Sequence, residues 1–188
     1  MELQQYLTHF HTLSATDIQL LLTFLKPKAF KKGENIIQAG QIQRELYFVK
    51  KGVQMSYFEA ESKTHVIAFT YPPNLCAIPE SFSFQTPSRN FLTCLTDSEF
   101  EYISFNDLQK IFDQSQQIER LFRRLTEAVL AGIINRHIEL HSLSIEERYK
   151  LFAKRSAHLF QVVPHKYIAS YLSISPTNFS KLYNKIKF

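Results

Sequence analysis

An amphipathic run from about Ser115 to Leu143 limits the possible folds of this chain more than any other segment. Apolar residues recur in it every three or four positions for about four heptads, and charged residues occupy the other faces. Because helices of globular cores usually span about 8 to 20 residues, the run predicts one long helix that pairs with a second copy of the chain. The alternative is that this helix packs on its own chain, and different faces can do both. The residues predicted at the dimer interface are Ile118, Leu121, Leu125, Ala128, Val129 and Gly132.

The segment before this run has the pattern of a β-sandwich. From Lys28 to Phe105, short apolar stretches alternate with turn residues, as in KKGENIIQAG and ELYFVKKGV. Evenly spaced short strands of this kind predict a jelly roll, or double-stranded β-helix. Two helices are expected ahead of it, the second beginning at a capping box formed by Ser14 and Asp17 and stopping at Pro27. The predicted fold class is therefore α+β.

Charge is distributed unevenly along the chain. No Asp or Glu follows Glu147, whereas the residues up to Glu147 contain 14 basic and 17 acidic side chains. A basic region beside an acidic one is an electrostatic footprint for a polyanion such as nucleic acid. Basic tails also aid solubility or bind membrane surfaces. The eight basic residues of the last segment are Arg148, Lys150, Lys154, Arg155, Lys166, Lys181, Lys185 and Lys187.

The last residues predict two helices joined by a short turn. Pro164 suits the first position of one helix, and Ser175 followed by Pro176 suits the start of the next. Ala169 is small enough for the two helices to cross there, and Ile174 fills the turn. This is the apolar template of a helix-turn-helix, although an ordinary helical hairpin is the alternative. The outward face of the second helix then carries polar or cationic side chains that suit a DNA groove, namely Thr177, Asn178, Lys181, Asn184 and Lys185.

The segments KKGENIIQAG, ELYFVKKGV, IEERYKLF and IASYLSISPTNFSKL resemble the Crp/Fnr family of regulators, over almost the whole chain. The resemblance implies a sensor domain related to cyclic nucleotide-binding domains at residues 1–113, a dimerisation helix at 114–143 and a winged helix-turn-helix DNA-binding domain at 144–188. By position, Ser175 and Asn178 resemble phosphate contacts. Pro176, Thr177 and Lys181 fall where the family reads bases.

Three departures from the family pattern concern the DNA-binding domain. Ser173 replaces the usual Gly of the turn, and Ser adopts positive φ less readily. The sequence ends directly after the second helix, so the β-wing is expected to be lacking and DNA affinity to be lower. Pro176 and Thr177 stand where the best-known members carry Arg and Glu. A different operator sequence is therefore expected.

The sensor also departs from the family's nucleotide-binding pattern, which uses Gly-Glu and an Arg followed by a small residue. Pro79 stands at the Gly position and Ser88 at the Arg position. Arg89 is one residue off and would point to the opposite face of a strand. We therefore predict that the domain does not bind cAMP in the usual way. A cyclic nucleotide, another small ligand and no ligand remain open, and any ligand is expected near Glu80, Ser81, Ser88 and Arg89.

Other chemistry is not expected. Cys76 and Cys94 are too few for an iron–sulfur cluster or a Cys-rich zinc site, and are predicted to be reduced core thiols. His137 and His141 lie one helical turn apart, but without a third ligand no metal site is predicted. No nucleophile–base pair indicates an enzyme, and no resident cofactor is expected. The lack of a long apolar run and of a signal peptide predicts a cytoplasmic protein without a membrane partner.

Together these patterns predict a homodimeric, sequence-specific DNA-binding transcription regulator. Its expected partners are double-stranded DNA, a second copy of the chain, a small-molecule effector and RNA polymerase. The alternative is a sensor or interaction module whose DNA-binding domain is degenerate.

Overall fold

The computed structural model describes residues 3–186. Lys187 lies outside this range, and so do the outer bounds of the first and last predicted domains. The fold is α+β, as predicted. The strands are β1 (Lys26–Phe30), β2 (Asn35–Ile37), β3 (Glu45–Lys51), β4 (Gln54–Ala60), β5 (Lys63–Thr70), β6 (Leu75–Cys76), β7 (Phe91–Cys94) and β8 (Ser98–Ser104). The helices are α1 (Leu3–Thr8), α2 (Ala15–Phe24), α3 (Pro79–Phe84), α4 (Phe105–Gln114), α5 (Gln116–Ser142), α6 (Ile145–Ser156), α7 (Leu159–Val162), α8 (His165–Leu172) and α9 (Pro176–Lys185).

The strands form a sandwich of two four-stranded sheets, which confirms the predicted jelly-roll class. One sheet has the order β1-β8-β3-β6 and the other β2-β7-β4-β5, with antiparallel neighbours. Pro27 does not end α2, which stops at Phe24. It lies in β1 at the edge of its sheet, where a residue without an N–H is tolerated.

The interior of the sandwich is filled with apolar and aromatic side chains. Tyr47, Phe100 and Leu92 are almost fully buried there, together with both cysteines. Cys76 and Cys94 are free thiols. Burial raises the pKa of Cys94 to about 11 and also raises the pKa of Cys76. Both thiols are therefore protonated and poorly reactive at neutral pH.

Helix α5 has the predicted length, but its first half faces its own chain. Ser115 caps its N-terminus, and Leu143 is its C-cap. Ile118, Leu121 and Leu125 are 0–2% exposed and belong to the core that also contains buried residues of α2, α4 and β3. The predicted dimer interface is therefore wrong at these three positions, because the chain's own helices and sandwich cover them. Ala128, Val129 and Gly132 are exposed.

Helix α6 begins the C-terminal unit at a predicted capping box. The Ser144 hydroxyl accepts a hydrogen bond from the Glu147 N–H, and the Glu147 carboxylate accepts one from the Ser144 N–H. The core of this unit contains Tyr149, Phe152 and Phe179, and Val53 and Phe69 of the sandwich pack against it. The C-terminal unit is thus anchored on the sandwich. Among residues 3–186, no helix is long and apolar enough to cross a membrane.

Candidate nucleic-acid interface and sensor cassette

The turn between α8 and α9 is closed by backbone hydrogen bonds around Ser173. Ser173 has φ 52° and ψ 47°, in the left-handed region. Its N–H donates to Ser170 O at 3.0 Å, and the N–H of Ile174 donates to Ala169 O at 3.0 Å. This pair of bonds is a Schellman motif, whose left-handed position is usually Gly. At the other end of α8, Pro164 occupies the N-cap, one residue before the predicted position.

Helix α9 begins at the predicted cap and presents the predicted face to solvent. The Ser175 hydroxyl accepts a hydrogen bond from the Asn178 N–H at 3.2 Å, and Pro176 follows at the first helical position. All seven residues predicted to contact DNA are exposed, namely Ser175, Pro176, Thr177, Asn178, Lys181, Asn184 and Lys185. The structure therefore leaves all seven accessible along α9, which has no acidic side chain of its own.

The opposite face of α9 fixes its orientation. Phe179 is 1% exposed, and its ring lies 5.7 Å from Tyr149 and 5.3 Å from His165, measured between ring centroids. Leu182 is partly buried against the same core. Tyr183 stays exposed at the border, in contact with Phe160 and His165. The aromatic contacts hold α9 in place and leave its polar face uncovered.

Ion pairs reduce the positive charge of the C-terminal unit. Glu146, at the start of α6, pairs with Lys150 at 2.7 Å and with Lys185 of α9 at 3.3 Å. These two lysines lower the pKa of Glu146, so its charge is retained at neutral pH. Arg155 pairs with Glu139 of α5 at 3.3 Å. Lys154, Lys166 and Lys181 are exposed and make no ion pair with the residues that the structure describes.

Helix α8, rather than α9, contacts the sandwich. The Ser170 hydroxyl donates to Thr64 O at 2.9 Å and accepts from the Val66 N–H at 3.0 Å, on the edge strand β5. The Arg136 guanidinium of α5 lies 4.1 Å from the centre of the Tyr171 ring and donates to Tyr171 O. No local pattern in the sequence identified Ser170 or Arg136, because their partners lie 35 or more residues away.

Two of the four residues predicted near a ligand have their hydroxyl groups engaged inside the protein. Ser81 is fully buried, donates to Thr86 O at 2.7 Å and accepts from the Gln43 N–H at 3.0 Å. The Ser88 hydroxyl is buried and makes hydrogen bonds with the backbone of Asn90 at 2.8 and 2.9 Å. Both side chains therefore hold the loop together.

Glu80 and Arg89, the other two, are exposed on the segment between β6 and β7 that contains α3, residues 77–90, here called the cassette. Pro79 begins α3 and offers no N–H. The N–H of Ile78, just before it, donates to Gln43 Oε1 at 2.7 Å. Gln43 was not identified from the sequence, although it links the loop before β3 to both ends of the cassette. Pro79, Ser81 and Ser88 therefore offer no free donor to a phosphate, and the exposed Arg89 is the remaining cation.

A charged pair also occupies one edge of the sandwich interior. Lys28 of β1 pairs with the Glu45 carboxylate, which also accepts a hydrogen bond from the Tyr47 hydroxyl. The Lys28 ammonium lies 5.1–5.7 Å from the centres of three aromatic rings, of which Tyr102 is nearest. Burial is the main cause that raises the pKa of Tyr47, so its hydroxyl remains a donor.

The exposed apolar residues of α5 form a second surface that the sequence interpretation missed in part. Five of them, here called the apolar stripe, are 46–58% exposed: Val129, Leu130, Ile133, Ile134 and Ile138. Only Val129 was among the predicted interface residues. A heptad seam could have been recognised in the sequence, because four residues follow each other at spacings of four, three and four: Leu130, Ile134, His137 and His141.

Comparison with known proteins agrees with this architecture. Residues 27–115, which comprise the sandwich and its cassette, match the family named cyclic nucleotide-binding domain. No curated protein sequence matches the chain. Among solved structures, FixK2 from Bradyrhizobium japonicum superposes with a TM-score of 0.74 at 16% identity, covering 86% of this chain and 83% of FixK2. FixK2 belongs to the Crp/Fnr regulators. The chain has the Crp/Fnr fold.

Other proteins with the Crp/Fnr fold superpose over a similar length. The c-di-GMP responsive regulator CLP from Xanthomonas campestris gives a TM-score of 0.65 at 16% identity, covering 92% of this chain and 91% of CLP. The Thermus thermophilus catabolite activator protein gives 0.59 at 17% identity, with 94% and 84% covered. The match thus includes the C-terminal unit as well as the sandwich. At such low identity it shows the fold alone.

Proposed function

We propose that the chain is a sequence-specific DNA-binding transcription regulator that acts as a homodimer. The observation that carries the proposal is the uncovered face of α9, which has no acidic side chain and projects Lys181, Thr177 and Asn178 into solvent. Lys and Asn side chains suit base edges in the major groove, and hydroxyls suit phosphates. In this proposal α8 and α9 form a helix-turn-helix, with α9 as the recognition helix.

The second copy is proposed to pair through the apolar stripe. Five large apolar side chains on one exposed helix are more than an isolated surface helix normally carries. Burying them between two parallel α5 helices would place two α9 helices on one side of the dimer. Half-sites about 34 Å apart, one turn of DNA, would match this symmetry.

Light scattering on the Ile134→Glu variant tests the pairing. A buried charge at the centre of the stripe is expected to shift the protein from dimer to monomer at micromolar concentration. Ile67→Glu is the matched control, because Ile67 is 45% exposed but lies on β5, outside the stripe. A wild-type protein that is already monomeric, or equal behaviour of the two variants, would contradict the dimer.

Binding of random duplex DNA at several salt concentrations tests the polyanion contact. Each phosphate contact contributes a slope of about −0.9 to log K against log salt. On random duplex DNA Lys181 has no specific base to read, so its charge is expected to lie against a phosphate. Lys181→Ala should therefore make the slope less negative by about 1.8 per dimer, for two lost contacts. Lys110→Ala, on α4 and far along the chain from α9, is the control and should leave the slope unchanged.

The second candidate is a sensor or interaction module whose helix-turn-helix no longer binds DNA. The ion pairs of Glu146 with Lys150 and Lys185 favour it, since they reduce the positive charge beside α9. A regulatory domain of protein kinase A shares the fold of the sandwich: the Toxoplasma gondii domain with cAMP gives a TM-score of 0.52 at 15% identity, covering 58% of this chain and 42% of the regulatory chain. A flat salt dependence in the same binding experiment would support this candidate.

A further inference from the structure

We propose that two chains paired through α5 form a binding site for one divalent transition-metal ion, with Zn²⁺ as the favoured ion and His137 and His141 of each chain as its four ligands. The inference rests on the dimer of the proposed function, because a single chain supplies only two ligands. Within residues 3–186, no cluster of three or more His, Cys, Asp or Glu is present in one chain.

The two imidazoles are already arranged as a pair. They stand one helical turn apart on α5, and their ring centroids are 4.4 Å apart. Both residues are exposed, and no ring nitrogen of either makes a hydrogen bond with the part of the chain that the structure describes. With Zn–N bonds of about 2.0–2.1 Å, two ligands of a tetrahedral ion hold their coordinating nitrogens about 3.4 Å apart. Rings 4.4 Å apart reach that separation by side-chain rotation alone.

The position of the pair on the helix points to a partner chain. Leu130, Ile134, His137 and His141 follow each other at spacings of four, three and four residues, which is the seam pattern of a two-stranded coiled coil. The first two belong to the exposed apolar stripe, and the histidines continue it toward the C-terminus. In a parallel pair, symmetry brings both histidines of one chain against both of the other.

The acidic side chain that lies between the two histidines in sequence is engaged with other residues. Glu139, the acidic residue between them in sequence, is 20% exposed and pairs with Arg136 and Arg155 on the side of α5 that faces the C-terminal unit. Four neutral imidazoles suit Zn²⁺, Ni²⁺ or Cu²⁺. The site lies one residue before the end of α5, so a bound ion would fix the separation of the two helices close to where α6 begins.

The test is calorimetric titration of the untagged full chain with ZnCl₂ near pH 7.5, with sedimentation equilibrium on the same samples. The expected result is one Zn²⁺ for every two chains, and a tighter dimer in its presence. Co²⁺ should give the visible absorption of a four-coordinate ion. The double variant His137→Gln/His141→Gln is expected to lose both effects, whereas the control His9→Gln/His65→Gln, which removes the same number of exposed histidines outside α5, should retain them.

The outcomes separate this proposal from the proposed function. A dimer that binds no Zn²⁺, or binds one ion per chain, or binds equally well without His137 and His141, overturns the metal site and leaves the dimer intact. A chain that remains monomeric with and without Zn²⁺ overturns the dimer and the shared site together.

Discussion

Replacing Ser173 by Gly tests whether the turn before the recognition helix carries strain. An L-residue in the left-handed region costs about 1–2 kcal/mol, and Ser173 occupies this region with φ 52°. Gly avoids that cost but makes the unfolded chain more flexible, which costs about 0.5–1 kcal/mol. Since Ser173 is exposed and its side chain fills no cavity, S173G is expected to stabilise the protein by about 0.5–1 kcal/mol.

Urea unfolding followed by circular dichroism measures this change in the free energy of unfolding. In a thermal scan, the melting temperature should rise by about 1–4 °C. Ser180→Gly is the matched control, because Ser180 is equally exposed but lies inside α9, where Gly is expected to destabilise by about 0.5 kcal/mol. Opposite signs for the two variants are the expected result. If S173G is neutral, or destabilises as S180G does, the assignment of strain to the turn is refuted.

Three further predictions concern other contacts. Arg136→Met should lower the free energy of unfolding by about 1 kcal/mol, since Arg136 stacks on Tyr171, whereas the exposed Arg123→Met should cost less than about 0.5 kcal/mol in the same urea assay. The Ser115 and Ser14 hydroxyls lower the pKa of Asp17 below its ordinary value of 3.8. The ionised Asp17 therefore stabilises the fold above pH 3.8, and this contribution is lost as the pH falls through the lowered pKa. Asp17→Asn should flatten that part of the profile of stability against pH. Calorimetric titration with millimolar cAMP should give no heat of binding, because Ser81 and Ser88 are engaged internally and Pro79 offers no N–H; a saturable heat would contradict this.

Local signals in the sequence were sufficient for the starts of several helices. The hydroxyls of Ser14, Ser144 and Ser175 each accept a hydrogen bond from the backbone three residues on, as their positions before a helix predict. The limits of α5 were predicted within a residue from the extent of its apolar periodicity, and the structure shows that Ser115 caps its start. Each cap depends only on residues within one helical turn, so it can be predicted from the sequence alone.

Contacts between distant segments were not predictable in the same way. The periodicity of α5 shows that Ile118 and Leu125 share a face with Val129, but not that α2, α4 and the sandwich cover only the first part of that face. Ser170 gains its function from β5, which lies 104 residues earlier in the chain. The cassette gave a mixed result. Ser88 is buried and Arg89 exposed, but both lie before β7 and not on a strand as expected, and the roles of Gln43 and Ser81 depend on tertiary contacts.

Selection of bound sequences from a random DNA pool by the purified full chain tests the central claim most directly. We expect enrichment of a two-fold symmetric sequence whose half-sites are centred one helical turn apart, about 10 base pairs. The enrichment should disappear with Lys181→Ala and persist with Lys110→Ala. Recovery of no enriched sequence at low salt, by a protein shown to be dimeric in the same buffer, would contradict the assignment of α9 as a recognition helix.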